Sequence, residues 1–350
     1  MELILYVQLV LSILMLIAII LPVFKNSFWI FRILEYPRFQ IWLIVAIICV
    51  TWVYSFQYAD VFFKVVAIAL FAGLIYLSYK IWPYTPAAKR QIKTVRPGRA
   101  DDQIKIYTAN VFQDNREYSR ILQQIKNYDP DLVVLVETDK EWKAAMDELL
   151  DTHPRYIGQP LSNTYGMLLY SRYEIDGRVQ MVVERDIPSI EACLKLPSGQ
   201  EINIWAVHPK PPVPGESYDS RAKDSEIMKV AFKAEKSELP VIVMGDFNDV
   251  AWSKVTELFQ KTARLLDPRR GRGFYSTFST HSMFVRFPLD YIFCSNDFGL
   301  ISMKRMPRNG SDHFAILTHL QYNPALRHQQ DVKPADPEER KEAREKEKAA

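Results

Sequence analysis

Residues 240–248 read Pro-Val-Ile-Val-Met-Gly-Asp-Phe-Asn, a short apolar run that ends in a glycine and two polar residues. The apolar run between a proline and a glycine predicts a buried β-strand over Pro240–Met244. Asp246 and Asn248 follow directly, at the edge of the sheet to which this strand belongs. A rigid sheet commonly presents functional side chains in this way, on the segments that follow its strands.

Five further predicted strand ends carry polar residues of similar types. An Asp or Asn beside one strand is usually a turn residue, but a mixture of amide, carboxylate and imidazole groups at six strand ends favours a shared site. The five ends are Asn110 after Ile104–Ala109, Glu137 after Leu132–Val136, His208 after Ile202–Val207, Asp290 in Leu289–Phe293, and Asp312 with His313 before Phe314–Leu320.

The remaining pattern between residues 104 and 320 indicates a layered α/β (α+β) sandwich. Two more strands are predicted over Tyr165–Tyr170 and Ala192–Leu196, and Pro197-Ser-Gly-Gln200 is typical of a hairpin turn. Amphipathic periodicity predicts four helices between the strands. These helices are Tyr118–Asn127, Glu141–Leu150, Arg221–Lys236 and Ser253–Lys261.

The strand-end segments resemble, in order, the motifs of the endonuclease/exonuclease/phosphatase family. Gly245-Asp-Phe-Asn248 is similar to its GDFN signature, Ser311-Asp-His313 to its SDH signature, and Leu289–Phe293 to the DYIF segment between them. The other matching segments are Thr108–Asn110, Val136–Glu137, Gly166–Arg172 and Val207–Pro209. The resemblance implies a catalytic domain over residues 101–322 with the four-layer α/β/β/α sandwich of the DNase I-like type.

The resemblance also implies a metal-dependent phosphoesterase. A divalent cation offsets the charge that develops when water attacks a phosphoester. Glu137 would supply a carboxylate and Asn110 a neutral oxygen, and Asp312 would lie beside the ion as a ligand or in the surrounding shell. So sparse a set of oxygen ligands suits Mg²⁺, with Mn²⁺ as the alternative.

The resemblance assigns the catalytic roles to five residues. Asp246 would position and polarise the attacking water, and Asn248 and His208 would donate hydrogen bonds to the phosphoryl oxygens. His313 would pair with Asp290, which fixes the imidazole tautomer and raises its pKa. Two roles for His313 stay open, as a group that stabilises or protonates the phosphate and as a general base.

The segment Asp267-Pro-Arg-Arg-Gly-Arg-Gly273 is the main local cluster of basic residues. Its guanidinium groups could bind substrate phosphate bidentately, and its glycines would allow close approach. Arg269, Arg270 and Arg272 are therefore candidate substrate-binding residues. A solvated loop is the alternative interpretation.

Residues 1–82 are expected to form a three-helix membrane anchor. The runs Leu3–Phe24 and Phe39–Ala59 contain no charged residue, and Val61–Trp82 carries lysines only near its ends. Each run is long enough for a helix to cross a bilayer. Basic residues in the first loop and after the third run favour a cytoplasmic catalytic domain by the positive-inside rule, with a periplasmic or extracellular domain as the alternative.

Two polar segments flank the predicted catalytic domain. Residues 83–100 are basic and contain prolines, which is typical of a juxtamembrane linker. Residues 323–350 are predicted to form a charged, solvated tail that is partly helical or disordered, because the last 20 residues carry six basic and seven acidic groups. The three cysteines show no metal-ligand spacing, so we expect free thiols and no zinc site.

The charge balance weakens one class of function. The chain has 44 basic and 41 acidic residues, of which five and three lie in residues 1–82, so the remainder holds 39 and 38. Proteins that grip duplex DNA usually carry a clear basic excess. The resemblance implies a phosphoester substrate, and with the predicted anchor and this charge balance we expect it near the membrane, as a lipid or a nucleotide; no specific protein partner is inferred. A membrane-anchored nuclease and a catalytically silent scaffold are the alternatives.

Overall fold

Two β-sheets pack face to face in the computed structural model, which describes residues 2–350. The strands are β1 (Gln103–Asn110), β2 (Leu132–Val136), β3 (Arg155–Gln159), β4 (Met167–Ser171), β5 (Glu174–Met181), β6 (Pro188–Lys195), β7 (Glu201–Val207), β8 (Val241–Asp246), β9 (Asp290–Cys294), β10 (Phe298–Arg305) and β11 (Ile316–Tyr322). The first sheet has the order β10-β11-β1-β2-β4-β3 and the second β5-β6-β7-β8-β9. Both sheets mix parallel and antiparallel pairs.

Helices cover the outer face of each sheet. The helices are α1 (Glu2–Ile20), α2 (Trp29–Ile33), α3 (Arg38–Ser55), α4 (Val61–Ile81), α5 (Tyr118–Tyr128), α6 (Lys140–Met146), α7 (Arg221–Glu235), α8 (Lys254–Ala263) and α9 (Pro337–Glu347). Helices α5 and α6 pack on the first sheet, and α7 and α8 pack on the second. The predicted four-layer α/β/β/α sandwich is therefore confirmed.

Strand β2 shows how the sequence specifies these layers. Successive side chains of a strand point to opposite faces of its sheet. Leu132, Val134 and Val136 enter the core between the two sheets. Val133 and Leu135 point the other way and pack with α5 and α6. A central strand buried on both faces therefore appears as an unbroken apolar run.

The eight predicted strands and four predicted helices of the domain are present, with boundaries shifted by a few residues. The hairpin turn is also present, where the Leu196 N–H donates to the Gln200 carbonyl (2.8 Å) between β6 and β7. Strands β3, β5 and β10 escaped prediction. All three are edge strands, and β5 has polar, largely exposed side chains that give it no apolar run.

Helices α1, α3 and α4 form a separate bundle, and all three are long and apolar enough to cross a membrane. Polar side chains join the helices inside this bundle. The Trp52 indole donates to Ser12 Oγ (2.9 Å), and Ser55 Oγ donates to Gln8 Oε1 (2.8 Å). Such bonds satisfy groups that would otherwise be costly to bury in lipid.

The loop between α1 and α3 is docked on the catalytic domain. The Tyr36 hydroxyl donates to the Asn248 carbonyl (2.6 Å), and the Trp252 indole donates to the Glu35 carbonyl (2.7 Å). Arg38, the first residue of α3, donates to the Trp252 carbonyl (3.0 Å). The first loop and the catalytic domain therefore lie on the same side of the helical bundle.

The flanking segments are more closely attached than the sequence led us to expect. In residues 83–100, the Val95 N–H donates to the Leu300 carbonyl (3.0 Å) beside β10, and Ile92 is fully buried. In residues 323–350, α9 packs against α7 and buries Ala343. Ion pairs on α9 hold it there, so this segment is not simply solvated. They join Glu342 to Lys254 (2.6 Å), Arg340 to Glu235 (2.7 Å) and Lys346 to Asp224 (2.6 Å).

Gly245 provides a test of the strand end that precedes Asp246. Its φ is +129°, and a Cβ there would lie 2.1 Å from the Val207 carbonyl oxygen on β7. We predict that Gly245→Ala destabilises the full chain by about 3 kcal/mol or more, because backbone strain and a backbone clash add. Thermal unfolding in detergent, followed by circular dichroism, measures the loss.

Gly199→Ala is the matched control for that substitution. Gly199 has a φ of +91° in the β6–β7 turn, but a Cβ there would meet nothing within 4 Å. Only the conformational cost of about 1 kcal/mol should remain. Equal losses in the two variants would show that the contact with β7 is unimportant.

Candidate active site

The polar strand ends of both sheets meet at a single edge of the sandwich. Asn110 of β1, in the first sheet, donates to Asp246 Oδ2 of β8 in the second (3.1 Å). His313, which precedes β11 of the first sheet, bonds through Nδ1 to Asp290 Oδ2 of β9 in the second (2.8 Å). The sequence-predicted site residues from the two sheets are thus brought together between the sheets.

Asn110 is held at the centre of this cluster by four contacts. Its Oδ1 accepts the Phe112 N–H (2.9 Å), which orients the amide so that Nδ2 faces the carboxylates. Nδ2 donates to Glu137 Oε1 (2.6 Å) as well as to Asp246. Ser311 Oγ donates to the Asn110 carbonyl (2.8 Å). Asn110 therefore joins the two carboxylates, and its Oδ1 keeps one lone pair for a further ligand.

Glu137 leaves strand β2 in a left-handed conformation, with φ of +62°. Its Oε2 accepts the Gln113 N–H at 3.3 Å. Burial raises the pKa of Glu137 to about 7, against the opposing hydrogen bond from Asn110. Burial, followed by the neighbouring Asp290 charge, also raises the pKa of Asp246. Two crowded carboxylates with raised pKa values are typical of a site that binds a positive charge.

The two histidines have opposite protonation properties. Burial lowers the pKa of His313, but the Asp290 and Asp246 carboxylates outweigh it and raise that pKa to about 10. Burial lowers the pKa of His208 to about 4 because only Asp246 opposes it. His313 is therefore an imidazolium at neutral pH and His208 a neutral imidazole. Their Nε2 atoms lie 3.8 and 3.9 Å from Asp246 Oδ2.

Asn248 closes the cluster beside Asp246. Its backbone has φ of +48°, and its N–H donates to Asp246 Oδ1 (2.8 Å). Its side-chain amide donates to the Pro209 carbonyl (3.0 Å), next to His208. One N–H of that amide remains for another acceptor.

The donor set fits a hard divalent cation. Oxygen atoms of Glu137 and Asp246 converge on one amide, and the partly exposed Asp312 is close enough to contribute to the raised pKa of Glu137. Ligand atoms of Asp246, Asp290 and His313 also lie within 4.8 Å of one another. Asp290 and His313 are hydrogen-bonded to each other, whereas the oxygens of Glu137 accept N–H groups of Asn110 and Gln113.

The guanidinium groups of the arginine cluster are engaged within the chain, which does not support the expected substrate clamp, and Arg269 Nη1 donates to the Asp290 carbonyl (3.4 Å) at the border of the site. Arg269 is buried, pairs with Asp267 (2.8 Å) and stacks on Tyr291. Arg270 packs over the ring of Tyr84. Arg272 donates to the carbonyls of Pro268 and Ile92 (3.0 and 2.7 Å). The three arginines attach residues 83–100 to the domain and are already engaged within the chain.

Three residues in the site had no assigned role from the sequence. Thr277 Oγ1 accepts the Asp290 N–H (3.2 Å), and Tyr165 stacks beside the His208 ring at 5.3 Å between centroids. Ser311 Oγ accepts the His313 N–H (3.0 Å) while it donates to Asn110. Of these three residues, only Ser311 belongs to a motif recognised in the sequence, because it is the first residue of the Ser-Asp-His segment.

The fold and the site together define a class of protein, a two-sheet α/β/β/α scaffold with a carboxylate and imidazole cluster between its strand ends. The model of the Endonuclease/Exonuclease/phosphatase family matches residues 107–313, more than half of the 350 residues. The chain belongs to this family. Its members hydrolyse phosphoesters, so the chain is a metal-dependent hydrolase that acts on ester bonds.

Solved structures share this fold at low sequence identity. An endonuclease/exonuclease/phosphatase from Beutenbergia cavernae is 16% identical, with 63% of this chain and 72% of that chain covered and a TM-score of 0.52. D. rerio TDP2 complexed with single strand DNA product is 15% identical, with 63% of this chain and 99% of that chain covered and a TM-score of 0.53. A mannosyl-6-phosphatase from Bacteroides thetaiotaomicron is 19% identical, with 63% of this chain and 100% of that chain covered and a TM-score of 0.50. No curated protein matches the chain.

The Asp290–His313 pair predicts a pH dependence. The pKa of His313 is raised to about 10, so its side chain is an imidazolium at pH values below that. Activity that needs this form is lost as the pH rises through the pKa. Asp290→Asn removes the carboxylate that most strongly raises this pKa. We predict that the basic limb of the pH–rate profile then moves to lower pH.

Asp176→Asn is the control, because Asp176 is an exposed carboxylate on β5. Its removal changes the net charge equally and should leave the basic limb unchanged. An unchanged limb in Asp290→Asn as well would contradict a catalytic role for the charged His313.

Proposed function

We propose that the chain is a Mg²⁺-dependent phosphoesterase that hydrolyses a phosphodiester or a phosphomonoester at or near a membrane. The observation that carries this proposal is the convergence of Glu137 and Asp246 on Asn110, with an imidazolium and a neutral imidazole beside them. Enzymatic hydrolysis of a phosphoester uses two features, a site for a cation and hydrogen-bond donors for the phosphoryl oxygens.

Glu137 and Asp312, with the remaining lone pair of Asn110 Oδ1, would hold the ion. When bound, Mg²⁺ supplies a positive charge that offsets the charge developing on the phosphoryl oxygens. A set made only of oxygen ligands favours Mg²⁺ or Mn²⁺ over zinc or copper. The three cysteines are free and do not belong to the cluster.

The chain's own residues would position the reactants. Asp246 is fixed by the Asn248 N–H and the Asn110 amide, so its carboxylate can accept a hydrogen bond from an attacking water in one orientation. His313 Nε2–H would donate to a phosphoryl oxygen, since its Nδ1 is held by Asp290. The neutral His208 and the free N–H of Asn248 would add donors without adding net charge.

We also propose that residues 1–82 anchor the enzyme in a membrane, with the catalytic domain over residues 101–322 on the cytoplasmic side. The three apolar helices and the basic residues around the first loop support this arrangement. The bond from Tyr36 to Asn248 links that loop directly to the site.

A membrane-anchored nuclease is the second candidate, which TDP2 with its single strand DNA product makes worth testing. The nearly neutral charge of residues 83–350 argues against it, because nucleic-acid binding that neutralises several phosphates requires basic groups. Plasmid or single-stranded DNA cleavage with a steep salt dependence would favour this candidate.

Metal and site variants test the phosphoesterase. We predict that EDTA abolishes hydrolysis of bis(4-nitrophenyl) phosphate and that Mg²⁺ or Mn²⁺ restores it. Glu137→Ala, Asp246→Ala and His313→Ala should each lower kcat by about 10²-fold or more, as removal of acid–base groups usually does.

His281→Ala is the control for these variants, because His281 is exposed outside the cluster. Its kcat should stay near that of the wild type. Full activity in excess chelator would rule out the metal mechanism, and absence of any activity with metal would favour a silent scaffold.

The orientation of the anchor is tested by reporters fused after residue 60, in the second loop, and after residue 82. We predict that a cytoplasm-active reporter works at 82 and a periplasm-active reporter at 60. The reverse pattern would overturn the orientation and leave the anchor in place.

A further inference from the structure

An apolar tip projects from the loop that joins the active site to β9. Met283, Phe284 and Val285, here called the 283–285 tip, are 79%, 84% and 48% exposed. Consecutive exposed apolar residues of this size are unusual on a surface that faces only water. The tip therefore needs a partner outside the domain.

The tip lies beside the first turns of a helix that is a candidate membrane span. The Gln40 side chain, in the first turn of α3, donates to the Phe284 carbonyl (2.6 Å). Met283 and Phe284 line the same groove as Phe39 and Leu43 of α3. Leu43 lies five residues into the candidate span that begins at Arg38, about 7 Å along the helix axis. The tip thus lies level with the first turns of a membrane-spanning helix.

Two arginines lie at the base of the tip and face the same aromatic ring. The guanidinium carbons of Arg286 and Arg305 are 5.1 and 4.5 Å from the centroid of Phe314. Their hydrogen bonds within the described residues go to backbone carbonyls, those of Ser282 and Ser276 (both 2.9 Å). Two guanidinium groups beside one ring that bond only backbone carbonyls retain N–H donors for an anion, and phosphate is an anion that such donors bind.

The same loop is tied to the catalytic residues. The Thr280 N–H donates to the Asp312 carbonyl (2.7 Å), and Phe278 packs on the His313 ring with 5.1 Å between centroids. Phe314, against which the arginines pack, directly follows His313. A phosphate held by Arg286 and Arg305 would therefore be close to the site.

We propose that the 283–285 tip inserts into the lipid–water interface beside α3 and that Arg286 and Arg305 bind the phosphate of a membrane lipid. The substrate is then a phosphoester lipid of the bilayer that holds the anchor. The substrate part rests on the proposed phosphoesterase function, whereas insertion of the tip does not depend on catalysis.

Insertion is tested by photocrosslinking with the full chain in a membrane. A benzophenone amino acid replaces Phe284, and mass spectrometry detects adducts with phospholipid. Ile47, an exposed residue of α3, is the lipid-facing reference, and Leu150, a partly exposed apolar residue beyond α6, is the negative control. We expect adducts at 284 and 47 and none at 150. Adducts at 47 but not at 284 would overturn insertion.

The substrate class is tested by hydrolysis of phosphatidic acid and phosphatidylglycerol in vesicles beside soluble bis(4-nitrophenyl) phosphate. Phe284→Asp should lower turnover of the lipid by about tenfold or more, because it removes apolar insertion. Turnover of the soluble ester should stay within about twofold, because Phe284 is exposed and a substitution at an exposed position usually disturbs the fold little. Equal losses on both substrates, or no loss on either, would overturn the role of the tip.

The arginine pair is tested by combining Arg286→Gln with Arg305→Gln. We expect KM for the vesicle substrate to rise about tenfold while kcat changes little, since each basic group near an anionic surface contributes modestly to binding. Arg178→Gln, at an exposed arginine of β5, is the control. An unchanged KM would refute phosphate binding by the pair.

Wild-type activity separates the two proposals. Hydrolysis of the soluble ester without release from either lipid would overturn the lipid substrate and leave the phosphoesterase standing. Inactivity on all three substrates with Mg²⁺ would overturn the phosphoesterase and the lipid substrate together, and the crosslinking result would still decide insertion.

Discussion

Packing of the two sheets against each other is the constraint on which the active site depends. The contact from Asn110 to Asp246 and the contact from Asp290 to His313 both cross from one sheet to the other. The residues of the two pairs are 136 and 23 residues apart in the sequence, and packing of the sheets on the apolar core between them brings each pair within hydrogen-bond distance. Any change that moves one sheet along the other would separate both pairs at once. The core thus fixes the geometry of the candidate site as well as the stability of the fold.

The docked first loop extends this rigidity toward the helical bundle. Trp252 packs between the catalytic domain and the loop, and its indole and carbonyl bond to Glu35 and Arg38. Buried charge lies in the same region, where Lys223 pairs with Asp249 at 2.8 Å. A buried ion pair contributes little net stability but is costly to break on one side. The bonds of Trp252 with Glu35 and Arg38 therefore attach the first loop and the start of α3 to the domain, in addition to the linker of residues 83–100.

The sequence predicts the centre of the molecule better than its edges. Strands such as β2 and β8, buried on both faces, are continuous apolar runs that any hydrophobic pattern reveals. Edge strands such as β5 pair with a neighbour on one side only and expose polar side chains. Their strand conformation depends on hydrogen bonds to the neighbouring strand, which their own composition does not reveal. The same distinction holds for α9. Its sequence looks like solvated charge, but burial of Ala343 and ion pairs with α7 and α8 fix its position.

Site residues follow a similar rule. Asp246, His313 and their partners stand directly after or before buried strands, so the fold fixes their positions and the sequence motif reports them. The roles of Thr277 and Tyr165 depend on contacts across loops that no local pattern encodes. The cluster at Arg269 illustrates the converse. Its composition suits a phosphate, but an arginine beside an acid and two tyrosines is satisfied inside the chain.

The distribution of charge bears on how a substrate would reach the site. With almost no net charge in residues 83–350, the domain lacks the long-range field that draws a polyanion from solution. Arg286 and Arg305 instead concentrate positive charge at one point, beside an apolar tip and a candidate membrane span. A local charge of this kind acts only within about 10 Å at ordinary salt concentrations. It is therefore effective for a ligand already delivered to that edge of the domain, and a bilayer that held the proposed anchor would deliver lipid there by diffusion in two dimensions.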